Sequence, residues 1–204
     1  MKKLLMVLLC LSMFYYLQAQ ETVKQKEIGL VFSNLDNFGL SFKTGTDKSL
    51  WRFNTLFISG NNMDNTADSS ANKQSTMGFG IKIGKEYRKD IVENLELRFG
   101  ADISFTYSQS KSDFDDKTVD DHDRLNERTT YKPGINLILG LNYVLTKNLI
   151  IGAELLPDFS YTTGTSVEKN YFRSTDDIEV KSDISGFSYG LSNTSVLLSL
   201  AYRF

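Results

Sequence analysis

Charged side chains recur at every second position in several segments of this 204-residue sequence, and they are its clearest candidates for chemistry. In residues 95–107 the odd positions are apolar or aromatic, whereas the even positions include Glu96, Arg98 and Asp102. Acids and bases that share one face can form ion pairs, hold an ion or relay a proton. The other charged residues on the polar side of such segments are Lys43, Arg52, Lys82, Glu86, Lys132, Glu154, Asp158 and Arg203.

A lipid-hydrolysing site would require a histidine close to a serine and to an acidic or amide partner. The sequence holds one histidine, His122, within the segment DDKTVDDHDR of a polar stretch at residues 109–128. We predict that it is a solvated loop histidine, so the chain has no catalytic residues and is not an enzyme. A lipid-modifying enzyme with a histidine-independent mechanism remains an alternative, and no cofactor is expected.

Six aspartates in the same polar stretch form a second candidate site, because clustered carboxylates can bind Ca²⁺. The stretch lacks the glycine and the terminal glutamate of an EF-hand loop, so we predict a solvated charge run and assign no metal site. Cation bridging to anionic lipopolysaccharide stays open as an alternative. The six residues are Asp113, Asp115, Asp116, Asp120, Asp121 and Asp123.

The first nineteen residues are predicted to be a secretory signal peptide that is removed, which leaves residues 20–204 as one domain. Lys2 and Lys3 precede a mostly apolar run of fourteen residues, and Ala19 is a small residue before a cleavage point. An N-terminal membrane anchor is the alternative, although the run is short for a spanning helix. The formal net charge of −2 shows no basic excess, so we expect no nucleic-acid partner.

Eight alternating segments predict eight antiparallel strands, several of them longer than the usual five or six residues. After a short first loop, the connections on one side are long and polar, at residues 61–74, 109–128 and 164–185. This pattern predicts an all-β, eight-stranded, up-and-down transmembrane β-barrel with both termini periplasmic and the long loops extracellular. The predicted strands are residues 27–33, 37–44, 49–60, 75–87, 94–108, 129–145, 149–163 and 186–204.

A soluble lipocalin-like barrel also has eight strands, but it would bury the apolar face and expose the polar one. Glycines on the polar face favour the membrane barrel, because small residues suit a narrow interior filled by long charged side chains. Aromatic residues near the strand ends favour it too, because membrane barrels carry aromatic girdles at both interfaces. The glycines are Gly78, Gly80, Gly84, Gly100, Gly134, Gly140 and Gly152. The aromatic residues are Tyr87, Tyr107, Tyr131, Tyr143, Tyr161, Tyr202 and Phe204.

The sequence ends with the alternating segment SVLLSLAYRF, in which Leu198, Leu200, Tyr202 and Phe204 share one face. Together with the leader and the eight strands, this ending resembles the small outer-membrane β-barrel family of OmpA and OmpX type. The resemblance implies that the four residues are an assembly signal for the outer-membrane barrel assembly machinery. It also implies an integral protein of a Gram-negative outer membrane, in contact with outer-membrane lipid and lipopolysaccharide.

The interior of an eight-stranded barrel is just wide enough for side chains, so charges inside it must pair. We therefore predict an ionic plug, and with it a non-enzymatic protein that serves envelope structure or surface-loop adhesion and binding. The alternative is a small pore or transport accessory, in which the same charges form an ion path or a gate. The sequence identifies no partner for the loops. The predicted plug comprises Lys43, Arg52, Lys82, Glu86, Glu96, Arg98, Asp102, Glu154, Asp158 and Arg203.

Overall fold

A computed structural model of the chain describes residues 24–33, 38–66, 70–116, 122–172, 178–191 and 195–204. The predicted signal peptide lies outside these residues. The regular structure within them is a single antiparallel sheet, and they include no helix long and apolar enough to cross a membrane. The strands are β1 (Lys24–Phe32), β2 (Phe38–Thr46), β3 (Ser49–Thr66), β4 (Ser70–Val92), β5 (Leu95–Asp116), β6 (His122–Val144), β7 (Leu149–Leu155), β8 (Asp158–Phe172), β9 (Ile178–Gly190) and β10 (Val196–Arg203).

Eight of these strands, β1 to β7 and β10, close into a ring in which each strand pairs with two neighbours. The closing strand is β10, which pairs with β1 so that Leu200 lies opposite Leu30 and Arg203 lies opposite Glu27. The other two strands lie outside this ring. Strand β8 pairs with the part of β6 that precedes its pairing with β7, and β9 pairs with β8. The predicted all-β, eight-stranded, antiparallel barrel is therefore confirmed.

Two of the predicted strands are interrupted in the structure. The strand predicted at residues 149–163 is present as β7 and β8, which are separated by Leu156 and Pro157. Pro157 has no N–H to donate to the ladder, and the Leu156 side chain is buried at 1% exposed. The strand predicted at residues 186–204 is present as β9 and β10.

The loops predicted at residues 61–74, 109–128 and 164–185 are wrong wherever the structure describes them, because every described residue of these segments lies in a strand. Strands β3 to β6, β8 and β9 continue through them as paired strands, so that Thr66 lies opposite Ala71 and Asp116 opposite His122. The predicted connection at residues 88–93 is also wrong, because β4 continues to Val92. A sheet that has water on both faces has no continuous apolar face, and that face is the signal by which strands are recognised in a sequence.

Burial in the barrel is inverted relative to a soluble protein. Among the described residues, most of the buried side chains are charged or polar, such as Arg52 and Glu86, which are 1% and 0% exposed. Large apolar side chains point outward instead, and Ile103 and Leu137 are 71% and 59% exposed. An apolar exterior of this extent is stable against lipid and not against water, so the lipocalin-like alternative is excluded.

Short turns connect the strands at one end of the barrel. Asp47 and Lys48 link β2 to β3, and Glu93 and Asn94 link β4 to β5, with Asn94 at a φ of 62°. Asparagine tolerates this left-handed conformation, which allows a two-residue turn. Phe204 lies at the same end, where its backbone exchanges two hydrogen bonds with Lys26.

Candidate functional site

Charged residues of the polar face meet inside the half of the ring that is next to the short turns. Arg52 on β3 and Glu154 on β7 stand on opposite sides of the ring. Arg52 nevertheless donates from Nη2 to Oε1 of Glu154 at 2.8 Å and from Nη1 to Oε2 at 2.9 Å. Arg98 Nη2 donates to the same Oε2 at 2.9 Å. The Arg52–Glu154 ion pair therefore crosses the full width of the interior.

Glu86 on β4 is the anion that the cations surround. Its Oε2 accepts hydrogen bonds from Lys43 Nζ at 2.8 Å and from Arg52 Nη1 at 3.2 Å. Its Oε1 accepts a hydrogen bond from Arg88 Nε at 2.8 Å, and Arg98 Nη1 lies 3.6 Å from Oε2. A carboxylate with 0% exposure loses all of its hydration, and these four cations offset that loss.

A second layer of ion pairs lies nearer the turns. Arg88 donates from Nη1 and Nη2 to the two carboxylate oxygens of Glu27, both at 2.6 Å, and Arg203 Nε donates to Glu27 Oε1 at 2.8 Å. Arg203 Nη2 also donates to both oxygens of Glu96, at 2.8 and 2.9 Å. Asn142 Nδ2 donates to Glu96 Oε2 at 3.1 Å. This layer ties the closing strands β1 and β10 to β4 and β5.

Two members of this network, Glu27 and Arg88, were missed in the sequence analysis. Both side chains are buried, at 2% and 6% exposed. Both could have been found from the sequence, because each residue continues the alternation of apolar and polar positions in its strand. Arg88 lies one residue beyond the predicted end of its strand, and Glu27 is the first residue of its predicted strand, where an alternation is hardest to recognise.

Three of the predicted plug residues stand at the margin of the network. Lys82 is 6% exposed and forms no ion pair within the described part of the chain. Asp102 Oδ1 lies 3.3 Å from Arg52 Nε, but neither carboxylate oxygen of Asp102 has a hydrogen-bond partner there. Asp158 lies 3.8 Å from Lys132, and the two side chains are 22% and 42% exposed. The closely packed ion pairs therefore end near Asp102.

Glycines on the inner face make room for the long side chains of the network. A Cβ added to Gly152 would lie 2.5 Å from Ser199 Oγ and 2.7 Å from Asn142 Oδ1. A Cβ added to Gly140 would lie 3.1 Å from Arg98 Nη2. A larger residue at either position would displace side chains of the network or of the wall beside it.

The candidate residues of the polar stretch stand far from this network. His122 is not in a loop as predicted, because it is the first residue of β6 and pairs with Asp116 at the end of β5. No three His, Asp or Glu side chains in the described ranges are grouped to hold a metal ion. The aspartates that lie in strands are Asp113, Asp115, Asp116 and Asp123, while Asp120 and Asp121 fall outside the described residues.

The four residues predicted as an assembly signal line the outer side of β10 and the position after it. Leu198, Leu200, Tyr202 and Phe204 are 42–59% exposed, and the rings of Tyr202 and Phe204 stack with their centroids 6.4 Å apart. Arg203 between them points into the network. Their recognition by the assembly machinery stays a prediction.

Comparison with known proteins identifies a family that the sequence matches. Residues 66–174 match the model of the family described as "Putative OmpA-OmpF-like porin family", and no curated protein matches the sequence. Among solved structures, the chain is similar to a major outer membrane protein from Thermus thermophilus, with 10% identity, a TM-score of 0.42 and coverage of 89% of this chain and 100% of that one. It is also similar to Ail, the attachment invasion locus protein of Yersinia pestis, with 15% identity, a TM-score of 0.38 and coverage of 91% and 100%. For CarO of Acinetobacter baumannii the identity is 8%, the TM-score 0.37 and the coverage 88% and 96%.

The family match covers more than half of the chain, from the end of β3 to just beyond β8. It includes the strands that contribute Glu86, Arg98 and Glu154 to the interior. The ring of eight antiparallel strands and the apolar exterior agree with it, and the expected resemblance to outer-membrane barrels is thereby confirmed. The chain belongs to the OmpA-OmpF-like porin family and is an integral outer-membrane β-barrel protein.

Proposed function

We propose that this protein is a non-enzymatic outer-membrane barrel whose interior is sealed by ion pairs and whose projecting strands form a binding surface. The observation that supports a sealed interior is the Arg52–Glu154 pair, which joins opposite walls of the ring. The Arg88–Glu27 and Arg203–Glu96 contacts form a second crossing layer nearer the turns. A pore would need a continuous water path past both layers.

Single-channel recording in planar bilayers tests the sealed interior. The native chain should show no steady conductance steps, whereas Arg52→Ser combined with Glu154→Ser should introduce them without changing the net charge. The matched control is Lys132→Ser combined with Asp158→Ser, which removes one charge of each sign above the network and should leave conductance at the native level. Steps in the native chain that neither double variant alters would refute the sealed interior and support the pore.

The proposed orientation places the short turns and Phe204 in the periplasm and the far ends of β3 to β6, β8 and β9 outside the cell. This orientation is supported by the difference in length between the turns at one end of the barrel and the projecting strands at the other, since membrane barrels have short periplasmic turns and longer extracellular parts. In intact cells, a membrane-impermeant maleimide should label a Ser182→Cys variant on β9 and leave a Lys48→Cys variant unlabelled. The opposite labelling would overturn this orientation.

The projecting sheet supports a binding role because it has two unpaired edges. Within the described residues, β9 pairs only with β8, and β3 beyond Thr55 pairs only with β4. Unpaired strand edges are where an extended segment of another protein can add a strand. Lys181 and Asp183 on β9 are exposed, which keeps this edge soluble.

Trimming the sheet tests the binding role. Thr165 and Asp183 are directly opposite in the β8–β9 ladder, so they can be joined by an Asn-Gly turn that replaces residues 166–182. Cells that display the trimmed chain should lose retention on protein-coated surfaces while the barrel keeps its heat-dependent mobility on gels. Equal retention with the native and trimmed chains would contradict a binding role for β8 and β9.

A non-enzymatic role is supported by the position of His122. This residue begins β6 at the end farthest from the short turns, well away from the ion-pair network. Purified protein should therefore leave phospholipid and lipid A unchanged over long incubation. Turnover of either lipid, abolished by unfolding the barrel, would show that the protein is an enzyme.

A further inference from the structure

Lys85 interrupts the apolar row on the outward side of β4. The row above it consists of Met77, Phe79, Ile81 and Ile83, which are 41–53% exposed toward lipid. Below it lie Tyr87 and then Lys89, near the end of the strand. Lys85 therefore stands where the apolar band of β4 ends, and from this depth a lysine side chain reaches the headgroup region.

The surroundings of Lys85 hold a cation without neutralising it. Trp51 lies directly opposite on β3, and Lys85 Nζ is 5.0 Å from the centroid of its ring. On the other side Lys85 faces Ala101 of β5. No carboxylate of the described ranges forms an ion pair with Lys85, unlike Lys43, Arg52 and Arg88 inside the ring. The ammonium is therefore oriented by an aromatic ring and available to an anion from the membrane.

An apolar groove begins at Lys85 and runs along the outer wall. It exists because Ala101 is small and leaves a depression between the neighbouring larger side chains. Its volume is about 480 Å³. Its outward-facing lining is Trp51, Ile81, Ile83, Lys85, Ala101, Ile103, Phe105 and Ile135.

We propose that Lys85, Trp51 and this groove bind one glycerophospholipid, with its phosphate at Lys85 Nζ and an acyl chain along Ala101 and Ile103. Charge complementarity identifies this occupant, because a single cation at one end of an apolar groove matches a molecule with an anionic head and a hydrocarbon tail. A second copy of the chain would instead have to bring a carboxylate of its own to Lys85 Nζ. The choice of a glycerophospholipid rests on the proposed orientation, which places this end of the barrel in the periplasmic leaflet.

Trp51 is the only tryptophan of the chain, so its fluorescence reports on the proposed site. The protein is reconstituted in symmetric vesicles of phosphatidylglycerol and phosphatidylcholine, with bromine on the acyl chains of one lipid at a time. For the native chain, quenching should show a preference for phosphatidylglycerol of roughly fivefold, as expected for one lysine at a membrane surface. In Lys85→Gln the preference should fall to about one, because the zwitterionic lipid then competes equally.

Lys89→Gln is the matched control. It removes the same charge from the same outward side of β4, four residues nearer the turn and opposite Leu97. It should keep the native preference for phosphatidylglycerol. An equal loss of this preference in both variants would show that it comes from a diffuse charge effect and not from the proposed site. A native chain quenched equally by both lipids would overturn the proposal outright. Ala101→Phe, which fills the groove, should reduce quenching by both brominated lipids, and unchanged quenching would refute the acyl-chain part.

The quenching of each variant is calculated relative to the fluorescence of the same variant in unbrominated lipid, so the loss of the Lys85–Trp51 contact does not affect the comparison. Lys85 and Ala101 both face outward, and the heat-dependent gel shift verifies that each variant is folded. Symmetric vesicles present the same lipids to both ends of the barrel, so the measurement does not depend on orientation in cells. A failed lipid preference is therefore distinguishable from a failed maleimide test of orientation.

Discussion

Replacing Glu154 by glutamine tests the ion-pair network most directly. The substitution preserves shape but removes the charge that accepts two hydrogen bonds from Arg52 and one from Arg98, at 2.8–2.9 Å. Removing one partner of a buried ion pair costs about 3–5 kcal/mol, because the remaining charge is left uncompensated. The free energy of unfolding in Glu154→Gln should therefore fall by about 3–5 kcal/mol. The assay is urea unfolding in lipid vesicles, followed by the fluorescence of Trp51.

The same substitution at Glu179 is the control. Lys169 Nζ lies 2.9 Å from Glu179 Oε2, which matches the distance in the interior, but this pair stands on the projecting sheet in water. The hydrogen bonds from Lys169 and Lys181 lower the pKa of Glu179, so it is ionised at neutral pH. Glu179→Gln should leave the urea midpoint unchanged, because solvent screens an exposed pair.

A double-mutant cycle separates the pair from the rest of the network. Arg52→Gln combined with Glu154→Gln should lose less stability than the sum of the two single variants, by about 1 kcal/mol or more. The reasoning would be refuted if Glu154→Gln unfolded at the same urea concentration as Glu179→Gln. The interior would then be hydrated enough to screen its charges as the exterior does.

Two further substitutions test the packing of the interior and the role of the final residue. Gly152→Ala should destabilise the barrel by about 1–3 kcal/mol in the same urea assay, because its Cβ would lie 2.5 Å from Ser199 Oγ. Gly186→Ala should be neutral, since a Cβ there meets nothing within 4 Å, and equal effects would contradict the crowded interior. Phe204→Ala should reduce the outer-membrane yield in cells more than the stability of refolded protein, because the backbone pairing with Lys26 remains. Equal losses would leave Phe204 with a packing role and no role in assembly.

The extent to which the fold could be predicted differs between the bilayer and the projecting sheet. In residues 95–107 one face meets lipid and the other meets the interior, so the alternation of apolar and polar residues is strong. It correctly predicted which side chains point outward and which point inward. Beyond the bilayer both faces meet water, and residues 109–116 were predicted as loop although they pair along β4 and β6. Arg88 was also missed, because it lies one residue past the predicted end of its strand.

Alternation along the chain determined the class of the protein and the face on which each charge lies, because facing depends only on a residue's position within its own strand. It did not determine which charges meet. Arg52 and Glu154 are 102 residues apart, and Arg88 and Glu27 are 61 apart. Their contact depends on closure of the ring, which sets β3 against β7, and on the stagger of the strands, which sets the depth of each side chain. Only the tertiary structure decides both, because each is a property of all eight strands together.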